Sequence, residues 1–235
     1  MASWDAPLIK KGMTAQLAKR RARIAAGEKP LGWKLGLGAP ATMQKLGLEA
    51  PLVGFLMQGA LLPSGSTVSL KNYLRPVAEP EVFVRMARDL AGGATPEAAL
   101  AAVKEIGPAI ELADLDPVPT PENIDTILEG DIYQRQVLLC AQTRATGNMD
   151  GLTSRVMRRG AEVNRTNDPQ ALTGKLGDIL AGTANMLAAF GEKLSAGDVI
   201  ITGSITPPPM IEPDETGFVH AVDPIGEVSV IFTRD

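Results

Sequence analysis

Two glutamates stand two residues apart at the head of an apolar run, in Arg75-Pro-Val-Ala-Glu79-Pro80-Glu81-Val82-Phe83-Val84. The composition of that run predicts a strand, and a strand sends alternate side chains to opposite faces. Both carboxylates then point the same way, about 7 Å apart along the backbone. Charges so placed repel unless something positive sits between them. A second strand-like stretch, Pro108-Ala-Ile-Glu111-Leu-Ala-Asp114, carries Glu111, with Asp114 and Asp116 in quick succession behind it. Three acids converging on one point make a hard oxygen site suited to a magnesium-type cation. Spacing alone leaves open which acid of the second stretch joins the pair. It also permits the plainer reading of a solvated edge strand, where Pro80 is at home.

The rest of the composition narrows the frame. At 235 residues the chain can form one large domain that buries about 70% of its unfolded surface. A formal net charge of −4 offers no basic field for a polyanion, which argues against nucleic acid and anionic membrane as partners. The single cysteine, Cys140, excludes an internal disulfide and a thiolate metal cage. The start, Met1-Ala-Ser-Trp4-Asp5, lacks the basic beginning and apolar core of a signal peptide, and no apolar run is long enough to cross a bilayer. A cytoplasmic protein is the expectation. With 24 Gly and 18 Pro, a turn-rich β fold with several helices fits better than a helical bundle.

Along the chain, Leu8 to Ala26 reads as an amphipathic helix ending at Gly27, its cluster Lys19-Arg20-Arg21-Arg23 a solvated face. Gly32 to Gly38 reads as a strand in which glycines leave room around Lys34. Thr95 caps a helix expected to run through about Ile106. Leu152 to Arg159 and Glu162 to Arg165 form a hairpin about Gly160, and Asp178 to Phe190 repeats apolar residues at helical spacing. Arg135 and Arg144 offer guanidinium forks for a substrate carboxylate, with exposed arginines the stronger reading. Val199 to Thr202 reads as a buried strand delivering Gly203 and Ser204 to its end, where backbone amides are available to an anion. His220 lies in one of the last two strands, with its ring in the wall or at the surface.

Four motifs in order, Gly32-Trp-Lys34-Leu-Gly36, Ala78-Glu79-Pro80-Glu81-Val82, Pro108-Ala-Ile-Glu111-Leu112 and Gly197-Asp-Val-Ile-Ile-Thr202-Gly203-Ser204, resemble the fumarylacetoacetate hydrolase superfamily. The 2-keto-4-pentenoate hydratase and 4-oxalocrotonate decarboxylase branch is the nearest in pattern, and the likeness runs from about Gly32 to the end. It implies a mixed α/β (α+β) fold, a rolled mixed β-sheet core with flanking helices. An N-terminal helical segment, 1–31, would precede a catalytic domain, 32–235. It also implies Mg2+ or Mn2+ on Glu79, Glu81 and Glu111, leaving Asp114 and Asp116 to a solvated turn, and it makes Lys34 the catalytic residue. Thr202, Gly203 and Ser204 would line the substrate pocket. Leu52 stands where hydratases of this kind tend to carry an acid, and the Asp-Asn-rich segment usual near the active site is replaced by Gln134-Arg135-Gln136 and Gln142-Thr143-Arg144.

The implied activity is metal-dependent hydration of a 2-hydroxydienoate or 2-oxo acid in aromatic-compound breakdown, by a homo-oligomer. The alternatives are a 4-oxalocrotonate-type decarboxylase and a catalytically silent member that binds a ligand or serves as a structural partner. Hydrolysis is least favoured, because the only histidine lies far outside the N-terminal region where hydrolases of the family place theirs.

Overall fold

The computed structural model describes residues 3–235; Met1 and Ala2, part of the start read above as lacking a leader, lie outside the described residues. The elements in chain order are α1 (Pro7–Ala25), β1 (Pro30–Gly36), α2 (Pro40–Leu46), β2 (Leu52–Met57), β3 (Leu61–Pro63), β4 (Ser66–Ser69) and β5 (Pro76–Met86). There follow α3 (Pro96–Leu100), β6 (Val103–Asp114), α4 (Ile124–Glu129), β7 (Gln134–Leu139), β8 (Thr153–Arg158) and β9 (Ala161–Thr166). The last are α5 (Leu176–Ala189), β10 (Val199–Ile201), β11 (Gly217–Asp223) and β12 (Gly226–Thr233). Among the described residues, no helix is long and apolar enough to cross a membrane.

Two mixed sheets form the framework, as the rolled α+β expectation requires. The larger has seven strands in the order β2-β1-β10-β5-β6-β7-β3, and the smaller five, β4-β12-β11-β8-β9. The central pair, β5 and β6, is antiparallel over its whole length from Pro76↔Asp114 to Met86↔Val103. That length corrects the helix expected through Ile106. After Thr95 caps the backbone N–H of Ala98, the helix stops at Leu100, and Val103 to Ile106 joins β6. Helical spacing in the alanine run gives way to cross-strand pairing, where Ile106 opposes Val84 and Arg85 binds Glu105 at 2.9 Å.

Helix α1 ends as expected, with Gly27 in the left-handed region (φ 95°). Its Met13 and Leu17 belong to the same core as Trp33 and Leu35, so α1 shares the hydrophobic interior of the chain that follows. Its basic cluster is only partly solvated. Arg20 is buried, its guanidinium 4.3 Å from the Trp33 ring and 3.2 Å from Glu192.

The sheets are pinned together by His220 of β11, which is fully buried. Its Nδ1 lies 2.9 Å from the carbonyl of Ala109 on β6, and its Nε2 lies 3.0 Å from the Ser154 hydroxyl on β8. A carbonyl only accepts, so Nδ1 carries the proton and Nε2 accepts from Ser154. The ring is therefore neutral and internal, neither lining a cavity nor facing solvent.

Burial holds the His220 pKa down to about 4, against the pull of the Ala109 carbonyl. The unfolded chain takes up this proton near 6.5 and the folded one only near 4, so the contribution is complete above pH 6.5 and disappears as pH falls to 4. Its size is about 3 kcal/mol. Chemical denaturation of His220→Gln between pH 7 and 4 should show a less stable protein at pH 7 with a flatter acid limb. Parallel pH curves for the two proteins would refute this role.

Candidate active site

Lys34 of β1, Glu79 and Glu81 of β5, Glu111 of β6 and the segment Thr202 to Ser204 directly after β10 come from four adjacent strands of the larger sheet. Glu79 and Glu81 share one face of β5, and Glu111 of β6 is the direct cross-strand partner of Glu79. Like charges placed opposite one another across a ladder are destabilising, yet Glu81 and Glu111 are fully buried. Carboxylate oxygens from the three residues lie within 4.8 Å of one another.

The cluster is only half satisfied from within. Lys34, buried on β1, pairs with Glu111 Oε1 and donates to the Ile132 carbonyl at 2.9 Å. The backbone N–H of Gly203 donates to Glu81 Oε2 at 2.7 Å. The other oxygens of both buried acids, Glu81 Oε1 and Glu111 Oε2, have no hydrogen-bond donor. Buried carboxylate oxygens without donors are costly, and their natural complement is a cation that demands oxygen ligands. The donor set, three carboxylates with neither sulfur nor imidazole, fits magnesium or manganese.

Electrostatics agree with that reading. Burial and the neighbouring Glu111 charge push the Glu79 pKa up to about 8, although Lys34 pulls the other way. Burial, then Glu111 and Glu79, raise Glu81 well above the carboxylate range. For Lys34, burial acts downward, but the charges of Glu111 and Glu79 outweigh it and the net shift is upward. One ammonium stands among two buried acids and the half-buried Glu79, so the cluster is short of positive charge.

Above the cluster opens a cavity of about 640 Å³, whose lining includes both Lys34 and Glu79. Most of its wall is apolar, drawn from Leu37, Leu46, Leu115, Val118 and Leu172. Thr202, Gly203 and Ser204 form part of the wall. Their donors are largely spent within the protein, however. The Thr202 hydroxyl goes to the Val82 carbonyl (2.9 Å), the Gly203 amide to Glu81 and the Ser204 hydroxyl to the Thr206 carbonyl (2.7 Å). The Gly203 amide is therefore not free for an anion: it holds the Glu81 carboxylate. Pro207, Pro208 and Met210 close the cavity. The segment is tethered by Arg158, which donates to the Met210 carbonyl at 2.7 Å and to buried Glu215 at 2.6 Å.

Other expectations are displaced. Leu52 is buried and absent from the cavity; it lines a separate space of about 130 Å³ with Ile9 and Met186, where apolar packing holds it. Asp114 is not a solvated turn residue, since its carboxylate accepts from the backbone N–H groups of Leu74 (3.0 Å) and Arg75 (2.7 Å). It thereby fixes the entry to β5. Arg135 sits over Tyr73 at 4.8 Å, Arg144 donates to the Asp150 carbonyl at 3.0 Å, and neither reaches the cavity.

The sequence reading missed the turn Asp131-Ile132-Tyr133, which supplies a second partner to Lys34 and two residues to the cavity wall. Two signals pointed to it: glycine inside the apolar run Val53-Gly54-Phe55, which marks a close approach, and Gly130-Asp131 directly after a helical pattern.

No family model matches the chain. Among curated proteins, 4-oxalocrotonate decarboxylase of Pseudomonas sp. (strain CF600) is 30% identical over 189 residues, covering 80% of this chain and 72% of the relative. 2-Hydroxyhexa-2,4-dienoate hydratase of Comamonas testosteroni is 28% identical over 220 residues, covering 91% and 82%. Among solved structures, 4-oxalocrotonate decarboxylase from Pseudomonas putida G7, complexed with magnesium and adipate, aligns with a TM-score of 0.85 and 26% identity, covering 94% of this chain and 85% of that one. On these likenesses and the ordered motifs together, the chain belongs to the 2-keto-4-pentenoate hydratase and 4-oxalocrotonate decarboxylase branch of the fumarylacetoacetate hydrolase superfamily.

Proposed function

We propose that this protein is a metal-dependent lyase of the 2-keto-4-pentenoate hydratase type, acting on a 2-oxo or 2-hydroxydienoate acid in aromatic-compound breakdown. The observation that carries the reading is the cluster of Glu79, Glu81 and Glu111, with two donorless buried oxygens, at the floor of an apolar cavity beside Lys34. A bound Mg2+ or Mn2+ supplies Lewis acidity toward the carboxylate and keto oxygens of such a substrate. The choice of magnesium rests on the hard oxygen donors and on the magnesium named in the Pseudomonas putida complex.

The chain's own residues do the rest. An ammonium has three N–H donors, and two of those on Lys34 are engaged by Glu111 and the Ile132 carbonyl. The third is available to the cavity, where it can hold the substrate carboxylate or move a proton to and from the carbon chain. The Leu37, Leu115 and Leu172 wall keeps bulk water from that exchange and accepts the unsaturated tail. Gly203 holds Glu81 in orientation through its amide.

A second reading, decarboxylation of a 4-oxalocrotonate-type acid, is favoured by a specific feature of the wall. Its ionisable residues are Lys34, Lys45, Glu79 and Tyr133, so once Glu79 is a ligand no carboxylate or histidine of the wall remains to activate a water. Loss of carbon dioxide needs no such base. A homo-oligomer in the cytoplasm completes the proposal, with exposed Val163 and Ile231 of the smaller sheet as apolar surface that assembly would cover.

Assaying 2-hydroxypenta-2,4-dienoate and 4-oxalocrotonate side by side, with and without magnesium, tests the activity. Metal-dependent water addition is expected; carbon dioxide release would select the second reading, and no turnover of either acid would leave a silent ligand-binding or structural member. Glu81→Gln keeps the acceptor for Gly203 but removes a carboxylate ligand from the cluster. It should abolish metal-dependent turnover while leaving the protein folded. Unchanged turnover would refute the ligand assignment. Lys34→Ala should lower kcat by about 10²-fold or more with metal affinity held or tightened, and an equal loss of both would contradict its catalytic role.

A further inference from the structure

Asp131, Ile132 and Tyr133 form an unusual turn between α4 and β7, all three at positive φ (59°, 50° and 67°). Non-glycine residues rarely occupy this region, and three in succession persist only where their surroundings fix them. Here each carbonyl of the turn has a different customer. The Asp131 carbonyl accepts from the backbone N–H of Gln134 at 3.2 Å, and the Tyr133 carbonyl accepts from Asp114 at 3.0 Å. The Ile132 carbonyl, between them, accepts from Lys34 Nζ at 2.9 Å.

The anchor of the turn is the Asp131 side chain, whose Oδ1 accepts from the backbone N–H of Phe55 on β2 at 2.8 Å. Two glycines leave the space this requires. A Cβ on Gly54 would stand 2.8 Å from Asp131 Oδ1 and 2.9 Å from Lys34 Cγ, so carboxylate and lysine stem meet over the same hydrogen. A Cβ on Gly36 would stand 2.7 Å from Ile132 Cγ2. The turn is thus seated on β1 and β2 through Gly36 and Gly54, on either side of the lysine it binds.

Resting on the functional reading above, we propose that Asp131 is a positioning residue: by tying the left-handed turn to Phe55, it fixes the Ile132 carbonyl and so aims the remaining N–H of Lys34 into the substrate cavity. Asp131 does not line the cavity, and its hydrogen bonds reach Lys34 by way of Ile132. Its chemistry accounts for its identity, because aspartate and asparagine tolerate left-handed backbone and present a side-chain acceptor.

The test uses two variants of the full chain. Asp131→Gly keeps the freedom to adopt positive φ but loses the acceptor, whereas Asp131→Asn keeps both and loses only the charge. The first readout is the lysine ammonium spectrum by 1H–15N NMR, with the Lys34 signal identified by its absence in Lys34→Met. Wild type and Asp131→Asn should show a protected Lys34 signal at the same position, and Asp131→Gly should shift or lose it. The second readout is turnover of the magnesium-loaded enzyme: kcat should fall at least about tenfold in Asp131→Gly, with KM and magnesium affinity within about twofold of wild type, and recover in Asp131→Asn.

An unaltered Lys34 signal and kcat in Asp131→Gly would overturn the proposal. So would loss of the signal in Asp131→Asn, a result that decides the matter even if the glycine variant does not fold. If wild type turns over neither acid, the functional reading fails while the NMR comparison still judges the role of Asp131.

Discussion

Mutual repulsion among Glu79, Glu81 and Glu111 is the constraint on which this structure turns. Two of the three are fully buried, one lies directly across the ladder from another, and a single ammonium stands among them. Hydrophobic burial of β5 and β6 can hold such a cluster in place, with Val82, Phe83 and Val84 on one strand and Ile110 and Leu112 on the other in the core. It cannot neutralise it. Removing water from carboxylates favours their protonated forms, which is the direction found for Glu79 and Glu81. A divalent cation would reverse that preference, which is why the proposed function places one among these three side chains.

The surrounding architecture serves to keep the acids from relaxing apart. β5 and β6 are paired over eleven and twelve residues, and β10 and β7 close on their outer edges. The smaller sheet is locked against β6 through His220 and the Ala109 carbonyl, two residues from Glu111. Arg158, on that same smaller sheet, holds the proline segment over the cavity. Scaffold and site are therefore coupled through the His220 bond between the sheets and the Arg158 bond to the proline segment.

Much of this was legible in the sequence, and the pattern of success is physical. A strand alternates its faces, so Glu79 and Glu81 had to point together, and the ordered motifs placed Lys34, Glu111 and Thr202 to Ser204 around them. The legible facts were local or carried by resemblance. What was lost depended on pairing between distant segments: Val103 to Ile106 has helix-compatible neighbours but is claimed by β5. Arg20 belongs to a basic cluster yet folds onto Trp33 and Glu192. Leu52 occupies a motif position associated with polar chemistry but packs with Ile9 and Met186. The Asp131 turn was missed because its conformation is imposed by contacts from β1 and β2, more than seventy residues earlier in the chain; Gly54 and the Gly130-Asp131 pair hinted at its presence.

The most direct test of the account is a crystal structure of the protein soaked in manganese, with data collected at the manganese absorption edge. The account predicts one strong anomalous peak in the larger sheet, within about 2.5 Å of an oxygen from each of Glu79, Glu81 and Glu111. A fully soaked crystal with no peak there, or with the ion held by other residues while the three glutamates remain unligated, would contradict it.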